Sequence, residues 1–298
     1  MNERERRIGF AAGGAAYVIW GLFPIYVKAL ASVQPIEVLA HRVTWAAILL
    51  LLLSWWRGLG SSLVAAVRSR RVLGILVATT VAIAINWLIY ITAVIRGHVL
   101  EASLGYFITP LVSVLLGVGL LRERLSRPVK LAAGLAAAGV AAMAWNAGGV
   151  PAISLGLALS WGIYGLLRKT APVGAVVGLT IETLLLLPVS VAYLFWSRAS
   201  GTLAFLAGSP WRDALLLGIG ALTAGPLLLF VGAARRLPLS TLGFLQYISP
   251  TIQFLLAVFL YREAFSAAVA LAFAFIWSGL AILAAHSIRE VRAAQEPT

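Results

Sequence analysis

Apolar residues run along this chain in long blocks separated by short polar stretches, without the charged faces that a soluble helix turns to water. A helix needs about 20 apolar residues to cross the hydrocarbon of a bilayer. Blocks of that length fall at 8–30, 35–56, 72–94, 99–121, 128–146, 150–168, 174–196, 211–233, 239–261 and 266–286. They predict an all-α integral membrane protein of ten transmembrane helices. The connections are short. The longest, between the second and third spans, holds Arg57, Arg68, Arg70 and Arg71, and none has the length of a separate soluble domain.

Composition supports the same picture: 61% of the 298 residues are hydrophobic and 11% are charged. Soluble domains average roughly 45–50% apolar residues, so this pool cannot furnish a water-facing surface. The first apolar block follows Met-Asn-Glu-Arg-Glu-Arg-Arg and lacks a small-residue cleavage site, so it reads as a first span rather than a removed signal. A net charge of +13 brings nucleic acid to mind. The cations sit in the loops, however, where positive charge sets orientation and meets anionic headgroups. With the N-terminus inside, the cytoplasmic loops and termini collect seventeen Lys and Arg and the opposite side five, leaving Arg42 within a span. Both termini are therefore expected in the cytoplasm, with the chain in a bacterial-type inner membrane.

Shifted by about 140 residues, the chain aligns with itself. Trp20-Gly21 falls on Trp161-Gly162, Lys28 on Lys169, Ile108-Thr109-Pro110 on Ile248-Ser249-Pro250, and Arg122-Glu123 on Arg262-Glu263. The repeats are expected at 1–146 and 147–298, forming one integrated membrane domain. Each holds an odd number of spans, so the second would enter the membrane inverted. Inverted repeats place a substrate site in a central cavity between them.

Several residues are candidates to line such a site. Pro110 and Pro250 interrupt the fourth and ninth spans, where each removes a backbone hydrogen bond and kinks its helix. On the proline faces lie Ser103, Tyr106, Ser113 and Gly117, and Gly243, Gln246, Gln253 and Ala257, with Tyr247 next to Gln246. Tyr17 and Trp20 in the first span, Trp161 and Tyr164 in the sixth, and Asn86 and Tyr90 in the third add aromatic walls and a hydrogen-bonding amide. Packing alone accounts equally well for any single aromatic. Three ionisable residues lie deep in spans, His41, Arg42 and Glu182. They are candidates either for proton coupling or for a structural ion pair, with Arg42 the partner or else snorkelling to the boundary. No nucleotide-binding loop, cysteine or catalytic constellation is present, so no cofactor, metal or catalytic residue is expected.

Across nearly its whole length the chain resembles the RarD-type branch of the EamA drug/metabolite transporter superfamily. The resemblance rests on Ala15-Ala16-Tyr17-Val18-Ile19-Trp20-Gly21, Glu37-Val38-Leu39-Ala40-His41-Arg42, Asn86-Trp87 and Leu100-Glu101-Ala102-Ser103-Leu104-Gly105-Tyr106-Phe107-Ile108. In the second half Ile181-Glu182-Thr183 and Tyr247-Ile248-Ser249-Pro250-Thr251-Ile252-Gln253-Phe254-Leu255 continue it. The resemblance implies ten helices in two inverted repeats and export of small metabolites or drugs, with amino acids, aromatic or otherwise apolar, as the preferred class. Arg122 and Arg262 depart from the family pattern, which often has Gly before the acidic residue. Glu123 and Glu263 are then expected to pair locally with Arg or Lys.

The alternatives are an uncoupled facilitator, a drug exporter and, more remotely, a membrane enzyme or scaffold. The expected partners are a small-molecule substrate and lipid, with no nucleic acid. Ten helices can enclose their own pathway, so a monomer suffices.

Overall fold

The computed structural model describes residues 3–121, 127–147, 151–234, 236–237, 242 and 245–293. Arg122, Glu123 and Gly243, and the side chains of Pro110, Ser113 and Gly117, lie outside the described residues. The described chain is helical throughout its regular parts: α1 Glu3–Lys28, α2 Pro35–Trp56, α3 Gly60–Arg68, α4 Arg70–Arg96, α5 Val99–Leu121 and α6 Arg127–Ala147. The second half follows with α7 Ala152–Thr170, α8 Ala175–Ala199, α9 Pro210–Gly218, α10 Ala221–Ala234, α11 Ile248–Leu255 continued by a π-helical turn Leu256–Leu260, and α12 Ala267–Ala293. Five stretches, α1, α2, α4, α8 and Pro210–Ala234, are long and apolar enough to cross a membrane; Val99–Thr109, Lys130–Ala142, Ile248–Leu260 and Ala267–Ile282 are shorter apolar helices.

Local chemistry sets the boundaries. Pro35 occupies the first turn of α2, where its missing N–H costs nothing. Ser69 opens α4 by accepting a hydrogen bond from the Val72 N–H, and Gly97 closes it in the left-handed conformation at φ 81°. Two features depart from the expected spans. The second loop contains α3, whose exposed Val64 and Val67 make an apolar face too short to register as a span. The eighth span breaks between α9 and α10, where a methyl group on Gly220 would lie 2.6 Å from the Trp45 backbone.

The strongest helix pairings are α6 with α12, α5 with α7, α2 with α8, α4 with α7 and α1 with α10. Exchanging α1 with α7, α2 with α8, α4 with α10, α5 with α11 and α6 with α12 turns this set into itself, apart from α5 with α7, which becomes the observed pairing of α11 with α1. At the α6–α12 contact the Gly139 backbone meets the Ala272 carbonyl, and Gly279 meets the Ala132 carbonyl. The residue numbers climb on one helix as they fall on the other, so the two run antiparallel. Small residues allow this close approach where lipid gives helices no hydrophobic reason to associate.

The outer surface suits a bilayer. Trp55 and Trp56 stand 81% and 76% exposed at the end of α2. Phe195, Trp196, Trp211 and Phe259 are exposed near the α8–α9 and α11–α12 turns. Exposed aromatic rings near helix ends suit the interface between hydrocarbon and water.

Candidate functional site

Polar side chains buried among apolar helices must find partners within the protein, and those partners outline the site. Asn86 of α4 is fully buried. Its amide donates to the Leu157 carbonyl at 3.1 Å and to Ser160 Oγ at 3.0 Å, both on α7, while its oxygen accepts from the Tyr106 hydroxyl of α5 at 3.3 Å. One amide thus ties together three helices from both halves of the chain.

From Tyr106 an aromatic run extends in both directions. Its ring lies 5.7 Å from Tyr90 and 6.3 Å, edge-on, from Trp161, whose ring is 5.6 Å from Tyr164. Tyr90 stacks on Phe23 at 6.0 Å. Beyond Tyr164, its hydroxyl donates to Glu182 at 3.1 Å; Thr79 donates to the same carboxylate at 2.7 Å, and Arg168 approaches it at 3.7 Å. At the other end, past Phe23, sits Arg42. The run therefore links a buried cation to a buried carboxylate.

A second aromatic group contains Tyr17 and Trp20, 5.4 Å apart, each 6.1 Å from Phe230 of α10. Gln253 of α11 donates to the Trp20 carbonyl at 3.2 Å, and Ser103 of α5 donates to the Pro250 carbonyl at 2.8 Å. Proline-bearing α11 is thereby held on both flanks, against α1 and α5.

The structure brings most of the expected residues together but not all. Tyr247 stacks instead on Phe107, within the aromatic packing of Phe107, Phe273 and Trp277. Gln246 makes no side-chain hydrogen bond among the described residues, and the cross-helix amide of this helix is Gln253. Thr79, Trp87, Ser160, Arg168 and Phe230 also touch these residues and were absent from the expected set; the only advance signal was the Asn86-Trp87 pair.

The expected ion pair is rearranged. The cation beside Glu182 is Arg168, whereas Arg42 lies 4.2 Å over the Trp87 ring and 5.0 Å over Phe23. Arg42 does not snorkel: it is 7% exposed, enclosed by α1 and α4 instead of reaching the boundary. His41 accepts a hydrogen bond from Trp45 at 3.1 Å and faces Phe205 at 4.8 Å, so His41 and Glu182 have separate partners. Glu37 accepts from the Ala204 and Phe205 N–H groups and fastens the α8–α9 turn.

Glu263 corrects a further expectation. Its carboxylate accepts from the Val99 and Leu100 N–H groups at 2.8 and 2.7 Å, and the cation that acts on it is Lys28 of α1, not a sequence neighbour. The first turn of a helix carries unsatisfied donors and the positive end of the dipole, so α5 draws the carboxylate to itself. Burial pushes the Glu263 carboxyl above its usual range, and these two N–H groups pull it back. Arg262 before it takes φ 52°, a backbone conformation suited to glycine.

Two open pockets of about 400 and 410 Å³ lie elsewhere, one lined by Arg57, Leu59 and the start of α8, the other by Thr92, Arg96, His98 and Ile153. Neither pocket is lined by the rings of the aromatic run.

An all-helical, lipid-facing protein with an aromatic and amide site between its helices is of the class of multi-pass membrane transporters. A model of the EamA-like transporter family matches residues 7–145. An uncharacterized transporter of Vibrio cholerae serotype O1 is 43% identical over 295 residues, covering 99% of this chain and 97% of its own. Protein RarD of Escherichia coli (strain K12) is 44% identical over 289 residues, covering 97% of each chain. The chain belongs to the EamA family of the drug/metabolite transporter superfamily, in its RarD-type branch. A crystal structure with 23% identity matches 97% of this chain and 98% of its own at a TM-score of 0.59, a likeness of fold.

Proposed function

We propose that this protein is a secondary transporter that exports small metabolites, foremost amino acids with aromatic or other apolar side chains, across the bacterial inner membrane. Two inverted five-helix repeats, ten spans in all, alternate around the aromatic site, with both termini in the cytoplasm. The observation that carries this reading is the Asn86 junction: a buried amide and the Tyr90–Tyr106–Trp161 rings join α4 and α5 to α7 where the two halves meet. Rings supply an apolar wall and the amide a hydrogen-bonding point, which is the make-up of a small-molecule site. The exchange symmetry of the helix contacts and the antiparallel α6–α12 pair support inverted repeats.

The test is counterflow in liposomes carrying the purified chain, with labelled Phe, Met and Thr. Saturable exchange is expected, with Trp161→Ala and Asn86→Leu reducing it at least about tenfold, the scale of losing one charge-free polar contact or a ring from a buried site. Folded protein that exchanges no amino acid would shift the substrate to drugs and other metabolites.

A further inference from the structure

Arg42 is a charged side chain inside a membrane protein without a carboxylate. No hydrogen-bond acceptor and no acidic group within 4.0 Å meets its guanidinium among the described residues, and its Nε is buried with no partner. The acids on surrounding elements are already engaged. Glu37 holds the Ala204 and Phe205 N–H groups, Glu182 holds Thr79, Tyr164 and Arg168, Glu263 holds α5, and Asp213 holds the Leu206 N–H. What surrounds Arg42 is aromatic: Trp87 at 4.2 Å and Phe23 at 5.0 Å. The hydroxyls of Tyr90 and Tyr106 lie within its electrostatic reach, and that of Tyr90 is buried with no partner of its own.

Ring faces soften the burial of a cation but do not replace an anion. A guanidinium fork leaves its planar donors available for a carboxylate, the ligand that matches them in two parallel hydrogen bonds. Tyr90 offers a further hydroxyl beside it. We infer that Arg42 is the anchor for the carboxylate of the transported molecule, held between Phe23 and Trp87 with its apolar body along the Tyr90–Tyr106 rings. This rests on the transporter reading above and narrows it to apolar carboxylic acids, amino acids included. It makes Arg42 a specificity residue rather than half of an ion pair.

Phenylacetate and phenylacetamide share a shape and differ in charge, so they isolate the anchor. The full chain in detergent is melted with each titrated in, alongside sodium chloride and inorganic phosphate. Phenylacetate is expected to protect at about tenfold lower concentration than the amide, as for a hydrogen bond to a charged group. Arg42→Met should erase that preference, and Arg42→Lys should keep part of it. Equal protection by acid and amide, no protection by phenylacetate, or a preference that survives in Arg42→Met overturns the inference. So does equal protection by chloride or phosphate, because the site would then read charge without the apolar body. Where Arg42→Met does not fold, the wild-type comparison decides alone. Amino-acid counterflow with no phenylacetate preference would spare the transporter reading and remove the anchor; a preference without counterflow of any amino acid would keep the anchor and move the substrate to other apolar carboxylic acids.

Discussion

Glu182 is the buried acid with the richest surroundings. Thr79 and Tyr164 hold its two oxygens, and Arg168 stands off at 3.7 Å, long for a direct ion pair. Protonation would keep the two hydroxyl contacts and release the guanidinium, which gives a proton a structural effect to exert. Glu182→Gln is accordingly expected to leave exchange intact while flattening the pH dependence of net uptake. A pH dependence that persists unchanged in this variant and in His41→Asn would remove proton coupling through either residue. Glu182 was conspicuous in the sequence because ionisable groups inside spans are costly. Its partners were not, because Thr79 and Arg168 come from other helices and have no marked spacing to it. The same blindness explains the Gln246 and Gln253 outcome. Both share the proline stripe, and only helix packing decides that Gln253 reaches Trp20.

Among the elements, boundaries given by chemistry along the chain were legible. The second and fifth of the named helices, α2 and α5, begin and end where the apolar blocks do. The α9–α10 break was not, since Gly220 there packs closely against Trp45, a contact far apart in sequence. The turn after α11 shows how a family pattern and a backbone angle explain each other. Arg262 is exposed and sits at φ 52°, where a Cβ is strained and glycine is not. A glycine at this position would meet the geometry at no steric cost. Arg262→Gly is thus expected to stabilise the protein by about 0.5–1 kcal/mol despite loosening the unfolded chain, read as a higher thermal midpoint in detergent. A lower midpoint would mean that the Arg262 side chain contributes more than its backbone costs.

For the molecule as a whole, the sequence shows Pro, Trp-Gly and Arg-Glu recurring in register at a shift of about 140; which surfaces meet was not legible, since Gly and Ala are spread along every span. Gly139 and Gly279 are related by the same shift of 140 that aligns the halves, and each faces a backbone carbonyl of the other's helix, at 2.9 Å from where a methyl group would stand. Overpacking such a contact costs about 1–3 kcal/mol. Gly139→Leu and Gly279→Leu should therefore lower the thermal midpoint by similar amounts. A large loss from one with none from the other would show that the α6–α12 pairing is not shared evenly between the halves.

The lone guanidinium of Arg42 has one more consequence, and it concerns what happens when nothing is bound. A fixed positive charge in a low-dielectric interior repels any sodium ion or hydronium that would slip past it, as a cation placed in a pore repels protons. A carrier that opens around Arg42 can pass an anionic group and stay tight to the ions that store the membrane's voltage. Idle cycles of such a carrier would then spare the cell's battery.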